Sequence, residues 1–401
     1  MPTISFDGLL IIALVAVVVP ALLAVFPSLP LPQAVLEVVA GIVVGPAVLG
    51  WVHMDAVIVV LSDLGLGMLL FLAGLEIDVQ RLRGSVGRLA GLAFGLSMLF
   101  GIACGYLLHL GGFVNKPLFL AIILVSTSAG LLLPVLKDAG EQETTFGQVV
   151  MTAGGLAEVG PVMMLSLLFS ATSTSSADRL ASLAMFLLLI AVTGLALGRV
   201  RGLRALEKLL DQLENRSAQL RVRAALTLSL AFGVLAYKFG FASILGAFAA
   251  GVLVRIIDLT GRAPHPEFQI KLEGIGFGFL IPIFFIATGV QFDLKSLVKD
   301  RTAVLEIPLF LLALLLTRAV PALLYRKRLG RKKAATAGMM QATTLTFVIV
   351  ATQIGLVSGQ ISHRTSASLL ATGLLSAALF PAAAVKLLAS GSPRTRQATD
   401  P

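Results

Sequence analysis

Apolar windows of about 20 residues, each long enough at roughly 1.5 Å per residue to cross a hydrocarbon core about 30 Å thick, follow one another along almost the whole chain. They lie at 8–26, 33–50, 56–77, 86–110, 117–137, 144–170, 180–199, 220–238, 241–257, 273–291, 303–325, 333–356 and 366–389, thirteen in all. In lipid every backbone N–H and C=O must be satisfied within the protein, so windows of this length fold as helices. One Trp and no alternating strand-like segments argue against a membrane barrel. Composition agrees, with 57% of the 401 residues hydrophobic and 13% charged. A soluble domain is far more polar. The expected class is an all-α polytopic membrane protein of about thirteen transmembrane helices. The first window has no basic stretch ahead of it and reads as a span, not a cleaved leader. The one cysteine, Cys104, admits no internal disulfide, and Cys/His spacing for zinc is absent.

The net charge of +10 could suggest nucleic acid, but its distribution points elsewhere. If the windows alternate in direction, twenty-three Lys and Arg fall on the side of the C-terminus and seven on the other. The one remaining basic residue, Arg318, is assigned to neither side and lies well inside a window. By the positive-inside rule the N-terminus is outside and the C-terminus cytoplasmic, in the inner (plasma) membrane, with lipid as partner and no nucleic acid.

The chain also repeats itself. Gly74-Leu-Glu-Ile-Asp78 returns as Gly289-Val-Gln-Phe-Asp293 at an offset of 215, and Ala40-Gly41-Ile-Val-Val44 as Ala250-Gly251-Val-Leu-Val254 at 210. Lys116 with Ser126-Thr127-Ser128 returns as Lys332 with Ala342-Thr343-Thr344 at 216. Windows 1–6 then correspond to windows 8–13, and the intervening seventh inverts the second copy. Inverted six-helix repeats joined by a linker helix are typical of secondary transporters, with the site at the repeat interface.

Two ionisable residues stand near mid-membrane. Glu158 interrupts the run 148–169, and Arg318 sits in Leu-Leu-Leu-Thr-Arg318. A charge at a helix centre costs about 2.5 to 3.5 kcal/mol on the insertion scale, so each should face a partner or a cavity. Arg318 is the expected counter-charge of Glu158, and the carboxylate a group that trades a proton for a cation. A structural ion pair is the bland alternative. Thr127-Ser128 and Thr343-Thr344 put hydroxyls at corresponding depths, with Gly130 and Pro134 to weaken the first helix. Broken helices there expose dipole ends and carbonyls that can ligate a cation; ordinary interhelical packing is the alternative. Glu37, Asp63, Glu76, Asp78, Asp293 and the four histidines read as interface or boundary residues.

Leu36-Glu37-Val-Val-Ala-Gly41-Ile-Val-Val-Gly45-Pro46, Leu70-Phe71-Leu-Ala-Gly74-Leu-Glu76-Ile-Asp78, Ser126-Thr127-Ser128 with Leu133-Pro134-Val-Leu-Lys137-Asp138, and Pro282-Ile-Phe-Phe285 with Gly289 carry a resemblance over nearly the whole length. The chain resembles the monovalent cation/proton antiporter family, in its Kef-type and Nap-type branch. The resemblance implies scaffold and dimer helices in 1–83 and 220–300, and mobile core helices in 84–171 and 301–390. A linker helix and cytoplasmic connector would fill 172–219, and a disordered tail 391–401. It implies two broken, crossing core helices, a homodimer, Glu158 as the essential acid, Arg318 as the core cation, and transported Na+ or K+ and H+ without a further cofactor. Two departures matter: Ala157 stands where the family carries a polar partner of the acid, and Arg318 stands where electrogenic members carry Lys. Arginine keeps its proton, so electroneutral exchange is expected. No Gly-x-Gly-x-x-Gly follows a strand pattern, so no nucleotide-binding regulatory domain is expected on this chain. An ion channel or an organic-anion symporter on a related fold stays open as an alternative. A hydrolase, which needs a base or second acid beside Glu158, is disfavoured.

Overall fold

The computed structural model describes residues 6–26, 31–76, 84–168, 176–201, 219–260 and 266–389. The expected tail 391–401, most of the connector beyond Arg201, and Asp78 lie outside the described residues. Among the described residues the chain is all-helical. The helices are α1 (Phe6–Val25), α2 (Gln33–Val44), α3 (Ala56–Leu75), α4 (Ser85–Leu110), α5 (Pro117–Leu124), α6 (Ala129–Asp138), α7 (Thr145–Leu168), α8 (Ser176–Arg201) and α9 (Leu220–Lys238). There follow α10 (Ser243–Thr260), α11 (Pro266–Ile275), a π-helical turn Gly276–Leu280, α12 (Ile281–Val290) and α13 (Leu294–Lys299). The last are α14 (Arg301–Ala322), α15 (Arg326–Gln341), α16 (Thr346–Val357) and α17 (His363–Ala389).

Nine helical stretches among the described residues are long and apolar enough to cross a membrane, and three shorter apolar helices accompany them. Local chemistry sets several boundaries. Asp55 caps α3 by accepting from Ile58 N at 2.8 Å, and Pro117 opens α5 where its missing N–H is harmless. The second window is shorter than expected: α2 stops at Val44, because Pro46 disfavours helical backbone at Gly45. The chain turns there, Trp51 N and Val52 N both donating to Val44 O at 3.0 Å. In the tenth window Pro282 cannot donate, and the ladder slips to a π-turn in which Ile281 N reaches Gly276 O.

The described residues divide into two compact units. The first comprises Met1–Gln80, Val159–Val304 and Ile349–Ser368, the second Arg81–Glu158, Leu305–Val348 and Leu369–Pro401. The first unit is held by two glycine crossings. A Cβ on Gly41 would run into the Ile286 carbonyl and lie 3.0 Å from Gly289 Cα; one on Gly74 would run into the Phe248 carbonyl and lie 3.1 Å from Gly251 Cα. Only glycine lets α2 approach α12, and α3 approach α10, this closely. Applying the sequence offsets turns Gly41 into Gly251 and Gly74 into Gly289, so the two crossings interchange.

The second unit packs α4, α6, α7, α15 and α17 around Leu132, Leu136, Phe146, Val150, Tyr325 and Met340. At its edge Lys333 Nζ pairs with Glu141 Oε1 at 2.8 Å and lies 5.6 Å from the centre of the Phe146 ring. Partial burial pushes the Glu141 carboxyl up, but hydrogen bonds from Lys333 and Thr144 and the Lys333 charge outweigh it and hold the group below its usual range.

Candidate functional site

Two helices break in mid-course, both breaks lying in the second unit. The chain leaves α5 at Leu124 and enters α6 at Ala129; it leaves α15 at Gln341 and enters α16 at Thr346. Neither gap contains Gly or Pro: they are Val125-Ser-Thr-Ser128 and Ala342-Thr-Thr-Leu345, all buried. Gly130 and Pro134, the expected weak points, lie inside α6. The hydroxyls are what make the breaks tolerable, because every helix end strands backbone groups that water cannot reach here.

The two breaks satisfy each other. Ser128 N donates to Thr343 O at 3.0 Å, while Ser128 Oγ accepts from Leu345 N at 3.0 Å and Thr346 N at 3.1 Å, capping α16. Ser126 Oγ donates to Ile123 O at 2.7 Å and lies 2.7 Å from Thr344 Oγ1, whose proton then completes that contact. Ser376 of α17 takes Thr344 N at 3.1 Å, and its own proton faces Thr344 O at 2.8 Å.

Thr127 is the busiest residue. Its N–H donates to Ala157 O of α7 at 3.1 Å, its hydroxyl donates to Gln341 O, and the same oxygen accepts from Arg318 Nη2 at 2.7 Å. Arg318, 2% exposed, also sends Nε to Gln341 O at 3.3 Å and Nη1 to Ser97 Oγ at 3.4 Å. The guanidinium fork thus spreads over three oxygens, two of them at the breaks and the third on α4. Glu158, 8% exposed, follows Ala157 directly, so the carboxylate stands one peptide from the crossing.

The expected residues Thr127, Ser128, Thr343, Thr344 and Arg318 therefore meet in one buried cluster, with Glu158 joined through Ala157. Thr343 Oγ1 and Gln341 Nε2 are buried with no hydrogen-bond partner among the described residues. Sequence reasoning missed Ser97, Gln341 and Ser376, whose roles depend on which helices pack together. It also passed over Glu306, a fully buried acid near the start of α14; a carboxylate inside an apolar window was the signal. Glu37 is buried as well and accepts from Gln33 Nε2 at 2.7 Å within its own helix. Among the described residues no three His, Cys, Asp or Glu converge as for a multidentate metal site.

A helical membrane protein in which two interrupted helices exchange hydrogen bonds beside a buried carboxylate and a buried guanidinium is the class that fold and site define. The family described as sodium/hydrogen exchanger, transmembrane, matches residues 12–388, and the chain belongs to it. It is 29% identical over 398 residues to the putative Na+/H+ antiporter YjbQ of Bacillus subtilis, covering 96% of this chain and 63% of that one. Over 264 residues it is 28% identical to the Na+/H+-K+ antiporter GerN of Bacillus cereus, 65% of each chain. The Na+/H+ antiporter of Enterococcus hirae is 26% identical over 94% of this chain and 96% of its own. The chain thus spans less than two thirds of the first two relatives and nearly all of the third. In fold it is similar to the sodium proton antiporter MjNhaP1 of Methanocaldococcus jannaschii, with a TM-score of 0.56 and 14% identity over 94% of this chain and 95% of that one.

Proposed function

We propose that this chain exchanges a monovalent cation, Na+ or K+, for a proton across the inner membrane, with Glu158 as the group that holds one or the other. The observation that carries this is the placement of a buried carboxylate next to the Ala157–Thr127 link, where hydroxyls and helix-end carbonyls cluster. Alkali cations are bound by carboxylate, hydroxyl and carbonyl oxygens. Thr127, Ser128, Thr343 and Thr344 supply such oxygens, and the unpartnered Thr343 Oγ1 suits a ligand role. Since cation and proton compete for one carboxylate, exchange follows without a separate coupling device. The core that carries both breaks moves to present Glu158 to each side in turn. Arg318 compensates charge and fastens the breaks. The named relatives support Na+ as a substrate, and GerN supports K+. The protein works as a homodimer, N-terminus outside and C-terminus cytoplasmic.

The test is proton efflux from acid-loaded proteoliposomes on external addition of Na+, K+ or Li+. Wild type should alkalinise in response to its ions, and Glu158→Gln should not. Full activity in Glu158→Gln would return the carboxylate to a structural role. Cation flux without counter-movement of protons would favour the channel, and dependence on an organic anion the symporter.

A further inference from the structure

Pro161 lies three residues beyond Glu158, buried inside α7. In an α-helix the amide of residue i+4 closes on the carbonyl of residue i, so the donor for Ala157 O would be residue 161. Proline has no N–H, and that carbonyl is left over in a fully buried position. Thr127 N takes it, at 3.1 Å. Thr127 is also the residue whose hydroxyl joins Arg318 to Gln341 O.

We propose that Pro161 is a positioning residue for Glu158: by withholding one N–H it opens the carbonyl preceding Glu158 to the α5–α6 break and ties the acid to the crossing. Occupancy of the carboxylate and the conformation of the break then change together. Had residue 161 carried an N–H, α7 would close its own ladder on that carbonyl and compete with the Thr127 amide for it inside the membrane. The proposal rests on Glu158 as the exchanging group.

Pro161→Ala and Pro161→Gly both restore the N–H while having opposite helix propensity, so an effect shared by both follows the donor and not the stiffness of α7. Pro308→Ala, at an exposed proline of α14, is the control. Two readouts are taken on the reconstituted full chain: hydrogen–deuterium exchange of a peptide spanning 125–128, and the Na+ and pH dependence of proton efflux. Both variants should exchange the Thr127 amide faster, by about tenfold for a lost bond of about 1.4 kcal/mol. Their half-saturating Na+ should rise and the pH profile shift, with a smaller change in maximal rate; Pro308→Ala should match wild type. Unchanged exchange at 125–128 in both variants would overturn the proposal. So would faster exchange with wild-type Na+ and pH dependence, which would leave the bond real but without a positioning role. If Glu158→Gln retains transport in the same assay, the assignment of the acid has failed, and the exchange data still report on the Pro161 link by themselves.

Discussion

Arg318 is held by three separate nitrogens on three different oxygens, which a lysine ammonium, a single point donor, cannot reproduce. Arg318→Lys should therefore fold less stably than wild type, and Arg318→Met less stably still, because it removes all three hydrogen bonds from a dry interior. Hydrogen bonds to a charged group are worth about 1.5 to 3 kcal/mol each. Thermal unfolding in detergent should rank the three in that order, and equal midpoints would remove the fastening role. The Glu141–Lys333 pair makes a pH-dependent case. The folded carboxyl titrates below its unfolded value, so the pair stabilises at pH above about 4.5 and the contribution fades as pH falls through the folded value. Glu141→Gln should melt below wild type at neutral pH, with the gap closing in acid; a pH-independent gap would count against the charge. The contribution is modest, since Lys333 is 43% exposed. Glu158 and Arg318 were legible in the sequence because an ionisable residue inside an apolar window stands out against its neighbours. Their partners were not: Ser97, Gln341 and Ser376 look like any polar residue of a membrane helix until packing brings them to the breaks.

At the scale of elements, the breaks were legible as Ser/Thr-bearing segments paired at one offset, but their mechanism was misread. Gly130 and Pro134 suggested weak helix; the interruption instead sits where Ser and Thr can replace the lost ladder with bonds to the other break. Ser128→Ala removes the acceptor for two amides at the start of α16. A lost N-terminal cap costs about 0.5 to 2 kcal/mol, and the variant should show faster amide exchange at 345–346 than wild type. Unaltered exchange there would mean that the cap is dispensable. The end of α2 was misplaced because an apolar run continues past Val44, whereas the Gly45-Pro46 dipeptide turns the chain. Helix packing in the first unit gives a paired test two residues apart. A Cβ at Gly65 would meet the Leu280 backbone and lie 2.9 Å from Phe284 Cβ, while one at Gly67 meets nothing within 4 Å. Gly65→Ala should lower the melting temperature, overpacking costing about 1 to 3 kcal/mol. Gly67→Ala should leave it unchanged or raise it slightly. Equal effects of the two would mean that α3 does not depend on this close approach.

For the whole molecule, the offset that pairs Gly41 with Gly251 and Gly74 with Gly289 was readable as sequence, yet its use was not: the glycines face each other crosswise, one from each repeat. The inverted repeats expected from the sequence would suit the proposed alternating-access exchange, since a site built between inverted halves can open to either side with the same contacts. The charge carried across in such a cycle is set by the site. Under the proposed exchange, the Glu158 carboxylate is neutral whether loaded with H+ or with Na+, and Arg318, which keeps its proton, contributes the same +1 in both directions. No net charge then crosses per cycle. Moving one elementary charge through 100 mV corresponds to about 2.3 kcal/mol, close to a fifty-fold change in an equilibrium ratio. Exchange by two protons per cation would show that shift plainly. Proteoliposomes clamped with K+ and valinomycin at 0 and −100 mV should therefore reach the same Na+-dependent pH end-point, at the same rate. A displaced end-point would require a second proton carrier, and Glu306, the buried acid near the start of α14, would be the first residue to replace with Gln.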